Sequence, residues 1–281
     1  MERFGERLDR VMRRRGPLCV GIDPHLTLLE HWGLNASADG LARFCQAVVD
    51  ALADRVAVFK PQSAFFERFG SAGIAVLEST IRQLRAAGAI VLLDVKRGDI
   101  GSTAQAYAEA YLSPSSPLRS DAVTVSPYLG FGSLAPFLDE AHAHGGGVFV
   151  LAMTSNPEGG QVQRAIVADG RSVAQTMVDE VGARNGDAVP MGDFGVVIGA
   201  TNATRPFTLD LGRLNGPVLA PGLGAQGATA ADLQIFAGLR GVVVPSYSRE
   251  VLGHGPSVPG LRDAALRSTE ACAKVLNFPA L

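Results

Sequence analysis

Asp94, Lys96 and Asp99 stand within six positions in LLDVKRGDIGST, Leu92 to Thr103, directly after the apolar run Ala89-Ile90-Val91-Leu92-Leu93. On an extended chain, residues two apart leave on the same face. Asp94 and Lys96 therefore emerge together at the end of a buried strand. Asp99 lies beyond Arg97-Gly98, where the loop decides its direction. Lys60, at the end of Val56–Lys60, adds a second cation. Lysines and carboxylates on neighbouring strand ends form an alternating charge array that keeps the amines protonated and the acids ionised. Such an array suits chemistry that stabilises a developing negative charge and then delivers a proton. Each piece alone also has a plainer reading: Asp99 as the cap of the next helix, Lys60 as a lysine whose stem lies on apolar surface.

A second cluster is glycine-rich. LAPGLGAQGATAADL places Gly222, Gly224 and Gly227 after an apolar run, with free amides and a helix start expected just beyond, and Arg249 follows the next run. Amides, a helix N-terminus and a cationic side chain make a phosphate site. Without Arg249 the glycines would read simply as a flexible turn.

These residues need strands to position them. Eight short Val/Ile/Leu-rich runs occur: Leu18–Asp23, Val56–Lys60, Ala89–Asp94, Ala122–Ser126, Val148–Met153, Gly195–Ala200, Pro217–Ala220 and Gly241–Val244. Near-continuous apolar runs are those of strands buried on both faces. Helical periodicity lies between them, as in Ile74, Leu77, Ile81 and Leu84 with Gly88 as a stop. Eight alternations in a chain near the ~250 residues usual for the fold predict a (β/α)8 TIM barrel. A doubly wound open sheet is the alternative, weakened because Gly21-Ile22-Asp23-Pro24 stands where GxGxxG would open its first unit. No linker composition divides the chain, so residues 1–281 read as a single domain. In a barrel, Asp23, Lys60, Asp94, Lys96, Ser126, Thr154, Ser155, Thr201, Asn202 and Ser246 all end strands at one mouth.

Bulk properties narrow the partners. A formal charge of −2 without long like-charge runs gives no nucleic-acid surface. No apolar stretch reaches spanning length and MERFGERLDRVMRRRG has no signal-type core, so a soluble cytoplasmic protein with no membrane partner is expected. Cys19, Cys45 and Cys272 lack CxxC spacing and read as buried thiols. The five histidines form no HExxH, and no GxSxG is present.

Asp94-x-Lys96-x-x-Asp99-Ile100, Lys60 and PGLGAQG, with FKPQSAFFERFG, DAVTVSPYLG and AMTSNPEGG, resemble the orotidine 5'-phosphate decarboxylase family, in particular its longer, mycobacterial-like (type 2) bacterial branch. The similarity runs from Asp23 to Arg249. It implies a TIM barrel that converts orotidine 5'-monophosphate to UMP and CO2 in pyrimidine biosynthesis, without metal or organic cofactor. It further implies a homodimer in which Lys60, Asp94 and Lys96 come from one subunit, while Asp99 and Thr103 cross from the other. By the same resemblance Asp23 holds a ribose hydroxyl, Ser155 the pyrimidine edge, and Gln226 and Arg249 the phosphate. PSYSREVL departs from the Gly-Arg ending of the shorter branch, so only its place supports Arg249.

Two rival functions share the pattern. Sugar-phosphate decarboxylases and aldolases, such as 3-keto-L-gulonate 6-phosphate decarboxylase, share the barrel and DxKxxD but bind Mg2+ and carry a carboxylate where this chain has Lys60, whose ammonium cannot ligate a metal. A non-catalytic nucleotide-binding barrel is the other.

Overall fold

The structure, a computed structural model, describes residues 2–204 and 208–279. The eight apolar runs become β1 Cys19–Ile22, β2 Val58–Pro61, β3 Ile90–Arg97, β4 Ala122–Val125, β5 Gly147–Met153, β6 Phe194–Ile198, β7 Val218–Ala220 and β8 Val243–Tyr247. Each lies parallel to the next, and β8 pairs with β1 through Cys19 opposite Ser246. The sheet is therefore a closed (β/α)8 barrel, and the open-sheet alternative falls away.

Alternation within the strands splits the apolar residues between two cores. Val20, Phe59, Val91, Leu93, Val123, Val150 and Val196 face outward and pack against the helices. Cys19, Val58, Ile90, Leu92, Ala122, Phe149, Val197, Leu219 and Val244 face inward and fill the barrel. Burial on both sides is why these strands read as unbroken apolar runs.

The N-terminal helix Phe4–Arg15 seals the end of the barrel opposite the strands' C-termini. Phe4, Leu8, Val11 and Met12 join the inward core, each contributing on the order of 2 kcal/mol by removing apolar surface from water. Phe4 meets Phe149 edge-on at 6.1 Å. A Cβ at residue 147 would come within 2.4 Å of the Phe4 ring, so β5 begins on a glycine. Asp193 fixes the helix start by accepting from the Gly5 amide at 2.7 Å.

Two elements depart from expectation. β3 continues to Arg97, but its register against β4 shifts between Leu93 and Arg97, because the Thr124 hydroxyl takes the Val95 and Lys96 amides. β8 starts at Val243 rather than Gly241, whose φ of 141° is open to glycine and whose added Cβ would lie 2.1 Å from the Gly216 carbonyl.

Candidate active site

Toward the strands' C-terminal ends eight residues converge, one from or just beyond each strand: Asp23, Lys60, Asp94, Thr124, Leu151, Val197, Leu219 and Ser246. All eight line a cavity of about 510 Å3. Leu151, Val197 and Leu219 give it an apolar side, and the other five a polar one. Gly21 keeps the approach open, since a Cβ there would sit 3.0 Å from the Asp23 carboxylate and 3.1 Å from the Ser248 Cβ.

The polar side is the expected charge array. Lys60 is buried, with Nζ 3.1 Å from Asp94 Oδ2 and 3.8 Å from Asp23 Oδ1. Lys96 Nζ lies 2.7 Å from both Asp94 oxygens and is the more exposed amine, its side chain 43% accessible. Burial opposes the Asp94 charge, yet Lys60 and Lys96, followed by hydrogen bonds from Lys96 and Thr124, hold its pKa at about 2. Burial likewise opposes the Lys60 charge, and Asp23 and Asp94 overcome it, raising that pKa above its ordinary value. A depressed carboxylate pKa stabilises the fold above the ordinary carboxylate value and loses this as pH falls toward about 2. A raised ammonium pKa stabilises below the ordinary lysine value and is lost only at higher pH still. Both charges therefore persist across the neutral range.

Thr124 organises this array, and sequence reasoning passed over it. Its Oγ1 donates to Asp94 Oδ1 at 2.6 Å and accepts from the Val95 and Lys96 amides at 3.1 and 2.9 Å. One hydroxyl thereby uses its single donor and both lone pairs. The bonds also hold Lys96 at φ 45°, a left-handed conformation that costs a non-glycine residue about 1–2 kcal/mol. The signal was available, since Thr124 follows inward Ala122 by two. Thr124→Val, which keeps the shape but strands two amides, is expected to lower kcat about 10- to 100-fold through misplacement of Lys96. It also removes a donor to Asp94, so that residue's pKa rises and any acid limb it sets moves to higher pH. Thr124→Ser should restore most of both. Pre-steady-state kinetics across pH checks this, and a wild-type profile in Thr124→Val would remove its positioning role.

The remaining sequence candidates divide. Ser155, Gln226, Ser246 and Arg249 line the cavity with the array. Ser155 Oγ lies 3.3 Å from Gln226 Oε1, joining the loops after β5 and β7. Asp23 and Ser248 line the cavity too, and the buried Asp23 Oδ1 and Ser248 Oγ have no hydrogen-bond partner among the described residues, Asp23 Oδ1 facing Lys60 Nζ at 3.8 Å as an ion pair. Ser126, Thr201 and Asn202 are outside the lining: Ser126 donates its amide to the Arg97 carbonyl, and Asn202 binds the carbonyls of Met153, Thr154 and Gly199. Asp99 and Thr103 also lie outside the lining of this chain's cavity. Asp99 accepts from the next amide, Ile100, at 2.8 Å, and Thr103 is exposed on the helix Gly101–Leu112.

The glycine loop is less open than expected. The Gly224 and Gly227 amides donate within it, to Ala228 and Gly224 carbonyls at 2.8 Å. The helix beyond is a 3-10 segment, Ala230–Phe236, its start capped by Asp232 on the Thr229 amide and hydroxyl. Its N-terminus is thus occupied by the chain's own carboxylate. The long segment after β5 contributes instead: Asn156, Gly159 and Gln163 line the cavity, with Gln163 bound to the Thr154 amide at 2.9 Å and hydroxyl at 2.8 Å. Among the described residues no group of three or more His, Cys, Asp and Glu side chains is placed to hold a metal ion. No described helix is long and apolar enough to cross a membrane. All three cysteines are free and buried, with burial pushing the Cys19 and Cys45 thiols up to about 12.

The family model for orotidine 5'-phosphate decarboxylase / HUMPS matches residues 16–262. The chain belongs to the orotidine 5'-phosphate decarboxylase family. Relatives bearing that name include the protein of Salinispora tropica, 64% identical over 278 residues and covering 99% of both chains. The Streptomyces coelicolor protein is 61% identical over 268 residues, covering 95% of this chain and 96% of its own. A crystal structure named for the same activity, from Streptomyces avermitilis, superposes with a TM-score of 0.93 at 57% identity, covering 99% of this chain and 97% of that one. These orotidine 5'-phosphate decarboxylase relatives extend over the whole barrel, the cavity included.

Proposed function

We propose that this chain is a carboxy-lyase that converts orotidine 5'-monophosphate to UMP and CO2, with Lys96 as electrostatic stabiliser and proton donor to C6 of the pyrimidine. The observation that carries the reading is the Lys60–Asp94–Lys96 array at the base of a cavity whose other wall is apolar. A planar pyrimidine fits against Leu151, Val197 and Leu219, with its reacting edge toward Lys96.

Breaking the C6–carboxylate bond releases neutral CO2 and leaves the electron pair on C6, where the ring offers no direct sink. A fixed ammonium beside C6 stabilises that pair, then fills the site by giving up a proton. Lys96 is the amine suited to this step, since its exposed side chain regains a proton from water. Lys60, enclosed between Asp23 and Asp94, keeps the Asp94 carboxylate ionised and in place. Asp94 in turn faces the substrate carboxylate, and the repulsion vanishes as CO2 forms. That contribution ranks below charge stabilisation.

Asp23, a lining carboxylate, receives a ribose hydroxyl, Ser155 addresses the pyrimidine edge, and Gln226 and Arg249 hold the phosphate. Binding energy from the phosphate then serves the distant C6. Gln226→Ala and Arg249→Ala should each weaken capture of the phosphorylated substrate about 10- to 100-fold, the value of a charge-assisted hydrogen bond, and leave the bare nucleoside nearly unaffected. Parallel kcat/KM measurements on the two substrates check this, and equal losses would remove both residues from phosphate recognition.

The active unit in this reading is a homodimer in the cytoplasm, with the partner's Asp99 and the partner's Thr103 completing each site. Exposed apolar residues lie on the loop that carries Asp99 and on the chain just after β4, which adjoins it at Ser126: Ile100 is 62% accessible, Tyr128 79% and Leu129 53%. Large apolar side chains left this exposed on neighbouring loops fit an interaction surface. Loss of orotidine 5'-monophosphate absorbance on adding the purified chain, in the presence of EDTA, tests the activity. An unchanged spectrum would overturn it, and activity abolished by EDTA would favour a metal-dependent relative.

A further inference from the structure

At the opposite end of the barrel from the active cavity lies a second one, of about 540 Å3, between the N-terminal helix and the starts of β3 and β4. Arg7, Arg14, Arg15, Arg85 and Arg119 line it, together with Arg10, which Glu2 neutralises through two bonds of 2.9 Å. Asp121 is its one carboxylate, and that residue is shared: Oδ1 lies 3.2 Å from Arg7 and 3.5 Å from Arg85, while Oδ2 accepts from the Val91 amide at 2.9 Å. A chain with formal charge −2 thus gathers five cations not neutralised by Glu2 around one acid.

Helix C-termini explain part of this. Arg15 donates to the carbonyls of Ala53, Val56 and Ala87 at 2.7–3.1 Å, and cations favour such ends. Arg7 likewise donates through Nη2 to the Gly145 carbonyl at 3.1 Å, at the end of the helix Ala135–His144, but not every donor of the cluster is used. The buried Arg7 Nε has no acceptor among the described residues, and the Arg85 Nε approaches Asp121 only at 3.5 Å, outside hydrogen-bonding geometry. Arg119 reaches no nearer than 3.5 Å to the His144 carbonyl. Buried guanidinium donors without acceptors carry a free-energy cost that a bound oxyanion would relieve.

We infer that this cavity is a binding site for an oligophosphate anion, a ligand with several oxygens and at least two negative charges, distinct from the substrate phosphate site. A single carboxylate or chloride could not engage Arg7, Arg85, Arg119 and Arg14 together, whereas a di- or triphosphate chain spans several guanidinium groups. A pocket of about 540 Å3 bounded by one helix and two strand starts has room for a short phosphate chain but not for the length of a nucleic-acid strand. Because the site lies at the starts of β3 and β4, away from Asp94 and Lys96, occupancy stabilises the folded chain by mass action and leaves turnover unchanged.

Inorganic tripolyphosphate is the probe. Isothermal titration and thermal melting of the full chain, with UMP present in excess to occupy the substrate site, should show binding and a melting point raised by several degrees. In Arg14→Gln/Arg119→Gln the affinity should fall about tenfold or more, as loss of charge-assisted contacts implies, with kcat unchanged as the sign of an intact fold. The exposed single variant Arg14→Gln, which removes only one of three cations in the last turn of the N-terminal helix, should give a smaller loss in the same direction. ATP binding more tightly than tripolyphosphate would identify a nucleotide as the source of the phosphates, and equal affinities would assign recognition to the phosphate chain alone. Absence of tripolyphosphate binding to the wild-type chain, or equal binding by wild type and double variant, would overturn the site.

Discussion

Lys96→Ala is expected to lose at least about four orders of magnitude in kcat, because it removes both the electrostatic stabilisation and the proton donation that one ammonium supplies, terms worth roughly 10²–10³ and 10²–10⁴ separately. UMP, which lacks the departing carboxylate, should bind the variant nearly as well as wild type. The substitution is clean in two respects. Alanine keeps the Cβ, so the strain of φ 45° is the same before and after. Lys60 and Thr124 remain on Asp94 at 3.1 and 2.6 Å, so the buried carboxylate is not left unpaired. A single-turnover assay with product binding measured alongside separates chemistry from capture, and wild-type-like turnover would remove Lys96 from the proton-donor role.

The strands were legible because burial on both faces leaves little choice of residue, and alternation then carried Lys60 and Asp94 to the mouth. The same alternation reaches Thr124, but threonine in a strand is equally explained by its β-branched shape, and nothing local says that its hydroxyl will serve three partners. What the apolar residues of the N-terminal helix cover became visible only when Gly147 and Phe149 were brought beneath Phe4. Sequence could not decide where loop amides point. Gly224 and Gly227 were expected to face a ligand, and instead close their own turn, because the acceptors at Ala228 and Gly224 are made by the fold of the loop. Asn156, Gly159 and Gln163 were missed for the same reason: their place in the cavity wall depends on a return of the chain that no periodicity announces. Asp99 and Thr103 pose the opposite problem, since a pattern within one chain cannot say which chain's cavity a side chain serves.

Mixing two inactive variants resolves that question with an effect nearly as large as the first. Asp99→Ala and Lys96→Ala homodimers should each be severely impaired, because every site in either dimer lacks one charged group. In a heterodimer, one site draws Lys60, Asp94 and Lys96 from the Asp99→Ala chain and its aspartate from the Lys96→Ala chain, and so is complete; the other site lacks both. Random reassociation of equal amounts makes half the dimers mixed with one good site each, so activity should recover to about a quarter of wild type under C2 pairing. Were Asp99 instead to serve its own protomer, each site in the mixed dimer would still lack one group and no recovery would occur. The position of Asp99 outside its own cavity, between Gly98 and the exposed Ile100, makes recovery the expected result. The Gly98 Cα fixes where that loop starts: a Cβ there would lie 2.5 Å from the Ser126 carbonyl, so the loop carrying Asp99 is drawn tightly against the end of β4.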